Sequence, residues 1–203
     1  IQFDGAATAK GSFEPQDAAA FNAASISGTY VFRATGVDAA TQPVGQVGMF
    51  NADGLGGISG GTYDQDDYGV VSALSAILPG SYSVSSNGRG TLQLSTASGV
   101  ANFAAYIVGS GKMNLIQIDA APAMALSGVA ELQTSQKYPA SSLSGGYSFL
   151  LERPALIRTT GFDRREFAQI GAYSFDGVSA ISGARDDANN GVSNPLDGIN
   201  GAY

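Results

Sequence analysis

One stretch of eight residues occurs twice in this chain. Ser25-Ile26-Ser27-Gly28-Thr29-Tyr30-Val31-Phe32 returns as Ser142-Leu143-Ser144-Gly145-Gly146-Tyr147-Ser148-Phe149, at an offset of 117. The same offset carries Gly11, Glu14, Gln16 and Phe21 onto Gly128, Glu131, Gln133 and Tyr138. Ile1-Gln2-Phe3-Asp4 matches Ile116-Gln117-Ile118-Asp119 at 115. Val47-Gly48-Met49-Phe50, Asp53-Gly54 and Ile58-Ser59-Gly60 recur at 123 as Ile170-Gly171-Ala172-Tyr173, Asp176-Gly177 and Ile181-Ser182-Gly183. Pro79-Gly80-Ser81-Tyr82 meets Asn200-Gly201-Ala202-Tyr203 at 121. Colinear matches with small drifts in offset describe a repeat with short insertions. A unit of about 117 residues is a whole domain, far longer than the roughly 20–50 residues of a solenoid rung.

Within a unit the local pattern is that of strands. Tyr30, Phe32 and Ala34 alternate with Val31, Arg33 and Thr35, Tyr82 and Val84 alternate with serines, and Leu92 and Leu94 flank Gln93. Period-two alternation bounded by Gly, Asp and Asn marks half-buried strands. Asp53-Gly54, Asn87-Gly88, Ser98-Gly99 and Ser110-Gly111 supply residues that tolerate positive φ in hairpin turns. These marks predict eight strands near 28–37, 42–52, 57–65, 74–84, 90–97, 100–109, 112–119 and 126–133, joined by connections short enough for hairpins. The fold class expected is all-β with almost no helix. A meander of eight strands removes its unpaired edges by closing into a barrel, and a two-sheet sandwich is the rival. The aromatics Tyr30, Phe32, Phe50, Tyr82, Phe103, Tyr106, Tyr147, Phe149 and Tyr173 are read as core. Asp17–Ala24 is long enough for a turn or two of helix.

The recurring Ser-x-Ser-Gly-x-Tyr-x-Phe, followed by Gly-x-Phe/Tyr-x-x-Asp-Gly and by Gly-Arg-Gly-Thr-Leu at 88–92, resembles β-rich tandem repeat domains of large secreted or cell-surface bacterial proteins. That resemblance covers nearly the whole chain. Its motifs are turn glycines and core aromatics, so it implies a location outside the cell and transfers no catalytic residue. A weaker similarity is to avidin- and lipocalin-like barrels, whose first strand also begins with a Gly-x-aromatic step, with Tyr30 and Tyr147 where those families usually place Trp.

The repeat also sets the expected organisation. Residues 1–16 correspond to the last two strands of a unit, 17–27 to a linker, 28–133 to a complete eight-stranded unit, 134–141 to a second linker, and 142–203 to the first four strands of another unit. The chain opens on Ile and shows no basic-then-apolar leader, which fits a processed form or a piece of something longer. Partial units leave edge N–H and C=O groups and an apolar face to be covered. Completion between copies, head to tail, is an open heterologous contact of the kind that builds filaments. On this reading Ile1, Phe3, Phe13 and Tyr203 are assembly positions. Residues 1–136 carry ten acidic and four basic groups, and 137–203 carry seven and six. Arg164 and Arg165, in the lengthened first hairpin of the second unit, therefore join the assembly set through rim electrostatics.

Composition narrows the chemistry. The chain has no Cys, His or Trp. This removes Ser–His–Asp triads, thiolate nucleophiles, disulfides and the usual zinc and iron–sulfur ligand sets. A net charge of −7 argues against nucleic acid, and no apolar run reaches the roughly 18 residues of a spanning helix. Asp64, Asp66 and Asp67 form the densest carboxylate cluster, a weak calcium pattern because the Gly and terminal Glu of an EF-hand loop are missing, with a solvated strand end as the alternative. No other cofactor is suggested. Asp53-Gly54-Leu55-Gly56-Gly57 reads as a hairpin turn, since neither helix nor Lys follows to cradle phosphate. The expectation is a non-enzymatic structural or adhesive subunit of an extracellular assembly, a homo-oligomer or polymer joined through terminal strands. The alternative is a small-molecule-binding β-barrel module, and a cavity of several hundred Å³ with convergent polar groups is the feature that favours it.

Overall fold

The computed structural model describes residues 13–120, 124–135, 138–153, 167–189 and 192–203. Of the proposed assembly residues, Ile1, Phe3, Arg164 and Arg165 lie outside the described residues. The chain divides into two compact units, 1–134 and 135–203.

In the first unit eight strands close into an antiparallel barrel: β1 Ser27–Val37, β2 Pro43–Asp53, β3 Gly57–Asp67, β4 Val70–Val84, β5 Arg89–Thr96, β6 Gly99–Gly109, β7 Lys112–Gln117 and β8 Ala125–Leu132. Each strand pairs with the next, and β1 returns to β8 with Phe32 opposite Ala130. The ladder is continuous round the ring, so the barrel is the architecture and the sandwich is not. The strand edges expected from alternation hold to within a residue or two, except at β4. That strand begins at Val70 because Tyr68 and Gly69 both take positive φ, 51° and 91°, in a two-residue hairpin. Asp66 Oδ1 accepts the Gly69 N–H at 2.7 Å and holds the turn.

Closing so few strands needs strong local coiling, and β4 supplies it with two irregularities. One lies between Tyr63 and Gln65, where Leu74 takes a φ of 51° and donates its N–H to Asp64 Oδ1 at 2.5 Å. The other lies between Leu78 and Ser81. Close approach of backbones does the rest: Gly61 stands where a Cβ would fall on the Met49 carbonyl.

Alternation then sorts side chains as it predicts. Tyr30, Phe32 and Ala34 of β1, Phe50 of β2, Leu92 and Leu94 of β5, and Met113 and Leu115 of β7 are buried inside. Tyr106 is a correction: it is 47% exposed, because Phe103, Ala105 and Ile107 hold the inward phase of β6.

One end of the barrel is stoppered. Residues 17–27, expected as a linker, carry two short 3-10 turns, Ala18–Ala20 and Ala23–Ser25, capped by Asp17 and Asn22. They bury Ala20 and Ile26 in the core. The Tyr82 hydroxyl donates to the Ala23 and Ile26 carbonyls, at 3.1 and 2.7 Å, and ties the stopper to β4. Just before it, the Asp17 N–H donates to the Val108 carbonyl, Gln16 Nε2 donates to the Ile107 carbonyl and Glu14 pairs with Lys112. Phe13 is 85% exposed.

The second unit is an antiparallel sheet ordered β12-β11-β10-β9, with β9 Ser144–Arg153, β10 Phe167–Asp176, β11 Ala180–Asn189 and β12 Val192–Ala202. Its local contacts reproduce those of the first four barrel strands. The Tyr203 hydroxyl donates to the Ala140 and Leu143 carbonyls at 3.3 and 3.0 Å, as Tyr82 does to Ala23 and Ile26. Asp176 Oδ1 accepts turn N–H groups from Val178, Ser179 and Ala180, as Asp53 Oδ1 does from Leu55 and Gly57. The Phe149 ring lies against Gly171 as the Phe32 ring lies against Gly48, each 2.7 Å from where a Cβ would stand.

Candidate functional site: the open end of the barrel

Strand directions locate a cavity. The odd-numbered barrel strands run away from the stopper and the even-numbered ones run back, so the C-terminal ends of β1, β3, β5 and β7 gather at the far end. There the inward phase turns polar. On β2 it reads Val44, Gln46, Gly48, Phe50; on β3, Tyr63, Gln65; on β7, Met113, Leu115, Gln117. A cavity of about 300 Å³ opens at this end. Its apolar wall is Phe32, Ile77, Leu94, Phe103, Met124 and Leu126, and its polar groups are Gln46, Gln65, Gln117, Ser72, Ser75, Thr96 and Ser98. None of the described lining residues is charged. A concave, largely apolar space with a few placed polar groups is the general form of a small-molecule site, and this volume is at the small end of the roughly 300–1,000 Å³ range.

Gln65 and Gln117 line the cavity from strands that stand four apart in a closed order of eight. Gln65 is paired with its cross-strand neighbour: Gln46 Nε2 donates to Gln65 Oε1 at 2.8 Å. Gln117 is held by Asp119, whose Oδ2 accepts its Nε2–H at 2.9 Å. The same carboxylate accepts the Asn102 backbone N–H at 2.9 Å and Asn102 Nδ2 at 2.6 Å. Partial burial pushes the Asp119 carboxyl up, but the hydrogen bonds from Asn102 and Gln117 outweigh it and leave the group below the ordinary carboxylate range. A carboxylate in that state accepts only, so the amide nitrogen of Gln117 must face it and the amide oxygen must face away. Gln117 Oε1 is buried and accepts no hydrogen bond from the described residues.

The sequence-derived candidates fall elsewhere. Asp64 and Asp66 lie on the outer face of β3, and their carboxylates serve the Leu74 and Gly69 N–H groups. Asp67 ends the strand at the β3–β4 turn. Among the described residues no three acidic side chains converge as a metal would need. The residue of that cluster that reaches the cavity is Gln65, in phase with Tyr63. Tyr203 packs edge-on to Phe175 at 5.1 Å and stays 41% exposed. The glutamines were within reach of sequence reasoning, because Gln65 and Gln117 sit in the inward phase of strands whose other inward residues are apolar. Among the described residues no helix is long and apolar enough to cross a membrane.

No family model matches this sequence, and no curated protein matches it. Among solved structures, the barrel is similar to one described as a de novo design of a fluorescence-activating beta barrel. That likeness spans 55% of this chain and 98% of the designed one, at 14% identity and a TM-score of 0.40.

Proposed function

We propose that the barrel unit is a binding module for a small uncharged molecule, with no catalytic role. The observation that carries this reading is the cavity of about 300 Å³ whose described lining is free of charge. A core packed only for stability has close-packed side chains and few voids larger than a water molecule. Here one end is filled by Tyr30, Phe50, Ile107 and Met113, while the other holds open space faced with amides and hydroxyls. Titration of the full chain with 1-naphthol, followed by backbone amide shifts, tests it. Shifts are expected at Ser75, Thr96, Ala101 and Gln117 and not at Ser81 or Thr91 on the barrel exterior near the stopper. Ala101→Trp, which fills the cavity, should weaken binding at least tenfold. Shifts that map elsewhere, or binding indifferent to Ala101→Trp, overturn the reading.

A second reading, a structural or adhesive subunit of an extracellular assembly, is favoured by the four-stranded sheet. Its β9 and β12 are edges of a sheet whose aromatic face includes Tyr147 and Tyr203, both 41% exposed. The recurrence of the Tyr82 and Asp53 contacts at Tyr203 and Asp176 supports tandem repetition of one unit, and strand complementation between such units is the mode of joining. The secreted location rests on the absence of Cys, the scarcity of Lys and the acidic balance. Sedimentation across a wide concentration range decides it: a chain that stays monomeric at millimolar concentration with the sheet fully protected from exchange excludes this assembly.

A further inference from the structure

We infer that the cavity takes a neutral carboxamide, a lactam or primary amide carried on a flat apolar body, and holds it through the free ends of the Gln46–Gln65 amide pair. The inference rests on the binding reading above and adds the chemical class of the ligand and the strands that recognise it.

Three observations combine. First, the polar groups of the wall differ in what they have left to offer. The Thr96 hydroxyl is engaged in the β5–β6 turn, donating to the Gly99 carbonyl at 3.0 Å and accepting the Ser98 N–H at 3.2 Å. Gln117 is engaged as well, with its Nε2 on Asp119 and its Oε1 closed off by burial. Gln46 and Gln65 share a single hydrogen bond, from Nε2 to Oε1 at 2.8 Å. That bond leaves Gln46 Oε1 and Gln65 Nε2 without a partner among the described residues, and neither atom is closed off. Reversing both amides would leave the same inventory, one carbonyl oxygen and one amino group.

Second, β4 is bent so as to complete a polar wall. Register sets Ser75 beside Tyr63 and Ser72 beside Gln65, so three steps on β4 span two on β3. Strict alternation from the buried Ile77 would turn Ala73 and Val71 inward. The extra residue, at the positive φ of Leu74, brings Ser72 into the cavity lining and leaves Val71 67% exposed, the re-aiming that a bulge performs. Gln46, Gln65, Tyr63, Ser72 and Ser75 therefore form one polar face on three consecutive strands.

Third, the rest of the lining is mostly apolar, with Leu94, Phe103 and Leu126 on β5, β6 and β8. An ion of either sign meets no counter-charge among the described lining residues. A pure hydrocarbon would strip water from the amide ends and return no hydrogen bond. The free ends belong to side chains on neighbouring strands, about 4.8 Å apart, a span that the N–H and C=O of one amide meet together. Gln46 and Gln65 are then specificity-determining residues.

The test compares isocarbostyril, a bicyclic lactam, with isocoumarin, each titrated into the full chain. Isocoumarin keeps the rings and the carbonyl and carries a ring oxygen in place of the lactam N–H. The native protein should prefer the lactam by about five- to tenfold, the worth of one net hydrogen bond. The side-chain amide resonances of Gln46 and Gln65 should move as the lactam binds, and those of Gln117 should not. Gln46→Met combined with Gln65→Met, which keeps side-chain length and removes both amides, should abolish the preference while still binding isocoumarin. Equal affinity for the two probes, movement at Gln117 in place of Gln46 and Gln65, or a preference that survives the double substitution overturns the inference and leaves a binding module in place. Failure of both probes while 1-naphthol binds does the same. Failure of all three removes the module itself, and the inference with it. Should the double variant not fold, the native preference and the glutamine resonances decide the matter.

Discussion

In the barrel, Tyr30 and Phe50 are wholly buried and stack at 5.6 Å. In the four-stranded sheet, Tyr147 stands at the position of Tyr30 and is 41% exposed, while Phe149 and Tyr173 stack at 4.4 Å. The same turn aspartates, glycines and tyrosine hydroxyl bonds build both regions. What separates them is β5 to β8, whose Leu92, Leu94, Phe103, Ile107 and Met113 cover the aromatic face of the first four strands. Local chemistry makes the hairpins, and burial of their common face depends on the strands that close over it.

A second difference lies in the inward polar positions. Register aligns Gln46 with Gln169, Tyr63 with Arg185 and Gln65 with Asp187. Arg185 and Asp187 form an ion pair at 3.4 Å where the barrel has a neutral wall. The aromatic and turn positions recur, and so does Gln46 as Gln169, whereas Tyr63 and Gln65 give way to Arg185 and Asp187.

The comparison can be broken first at its aromatic positions. Phe50→Ala should cost the barrel about 3–5 kcal/mol, the usual figure for an aromatic removed from a packed core. Tyr173→Ala should cost the sheet no more than about half as much, since its ring is only partly covered. Hydrogen exchange read separately over β1–β8 and β9–β12 measures both. Equal losses would mean that the sheet face is as well covered as the barrel interior.

A smaller effect is expected at the paired hydroxyls. Tyr82→Phe removes a buried donor to Ala23 and Ile26 and should cost about 1–3 kcal/mol, loosening the stopper. Tyr203→Phe removes the equivalent bonds at an exposed site and should cost less than about 1 kcal/mol, because water replaces the donor. Exchange at Ala20 and Ile26, compared with exchange at Leu143, separates the two.

The mildest test is alkaline. Burial, with a smaller contribution from Tyr82, pushes the Tyr30 hydroxyl up to about 12. Its unfolded value is near 10. Above pH 10 the unfolded chain releases this proton and the barrel does not, so folding loses stability as pH rises from 10 towards 12. In the sheet the Tyr203 hydroxyl is pushed up in the same direction, by burial and by the nearby Asp176 charge, so the sheet loses stability in the same sense as pH rises. Tyrosinate absorbance followed together with far-ultraviolet circular dichroism checks it: Tyr30 should ionise only as the barrel signal is lost.

Much of the barrel is legible in the residues. Alternation at Tyr30-Phe32-Ala34 and Leu92-Leu94, with turn pairs such as Asp53-Gly54 and Asn87-Gly88, marks the strands because a pleated strand puts neighbours on opposite faces whatever lies around it. The Tyr68-Gly69 turn escapes, since Tyr is not a residue that announces positive φ. Segment 17–27 escapes for a different reason: nothing local tells an Ala-rich linker from an Ala-rich stopper until a barrel end is there to receive Ala20 and Ile26.

The site was less legible. The carboxylate cluster drew attention to Asp64, Asp66 and Asp67, yet the face of β3 that enters the cavity carries Gln65. Gln117 gains its meaning from Asp119 and Asn102, the latter 15 residues away in sequence and on a neighbouring strand.

The order of residues alone therefore marked the strands, most of their inward and outward faces, and the local motifs that occur twice. These follow from period-two geometry and from turn residues acting over a few positions. Tertiary structure alone decided that β1 meets β8, that one end is stoppered, and that the other keeps an uncharged cavity with an oriented amide. Each of these depends on which groups from distant strands arrive together, and on which are left without a partner once they have.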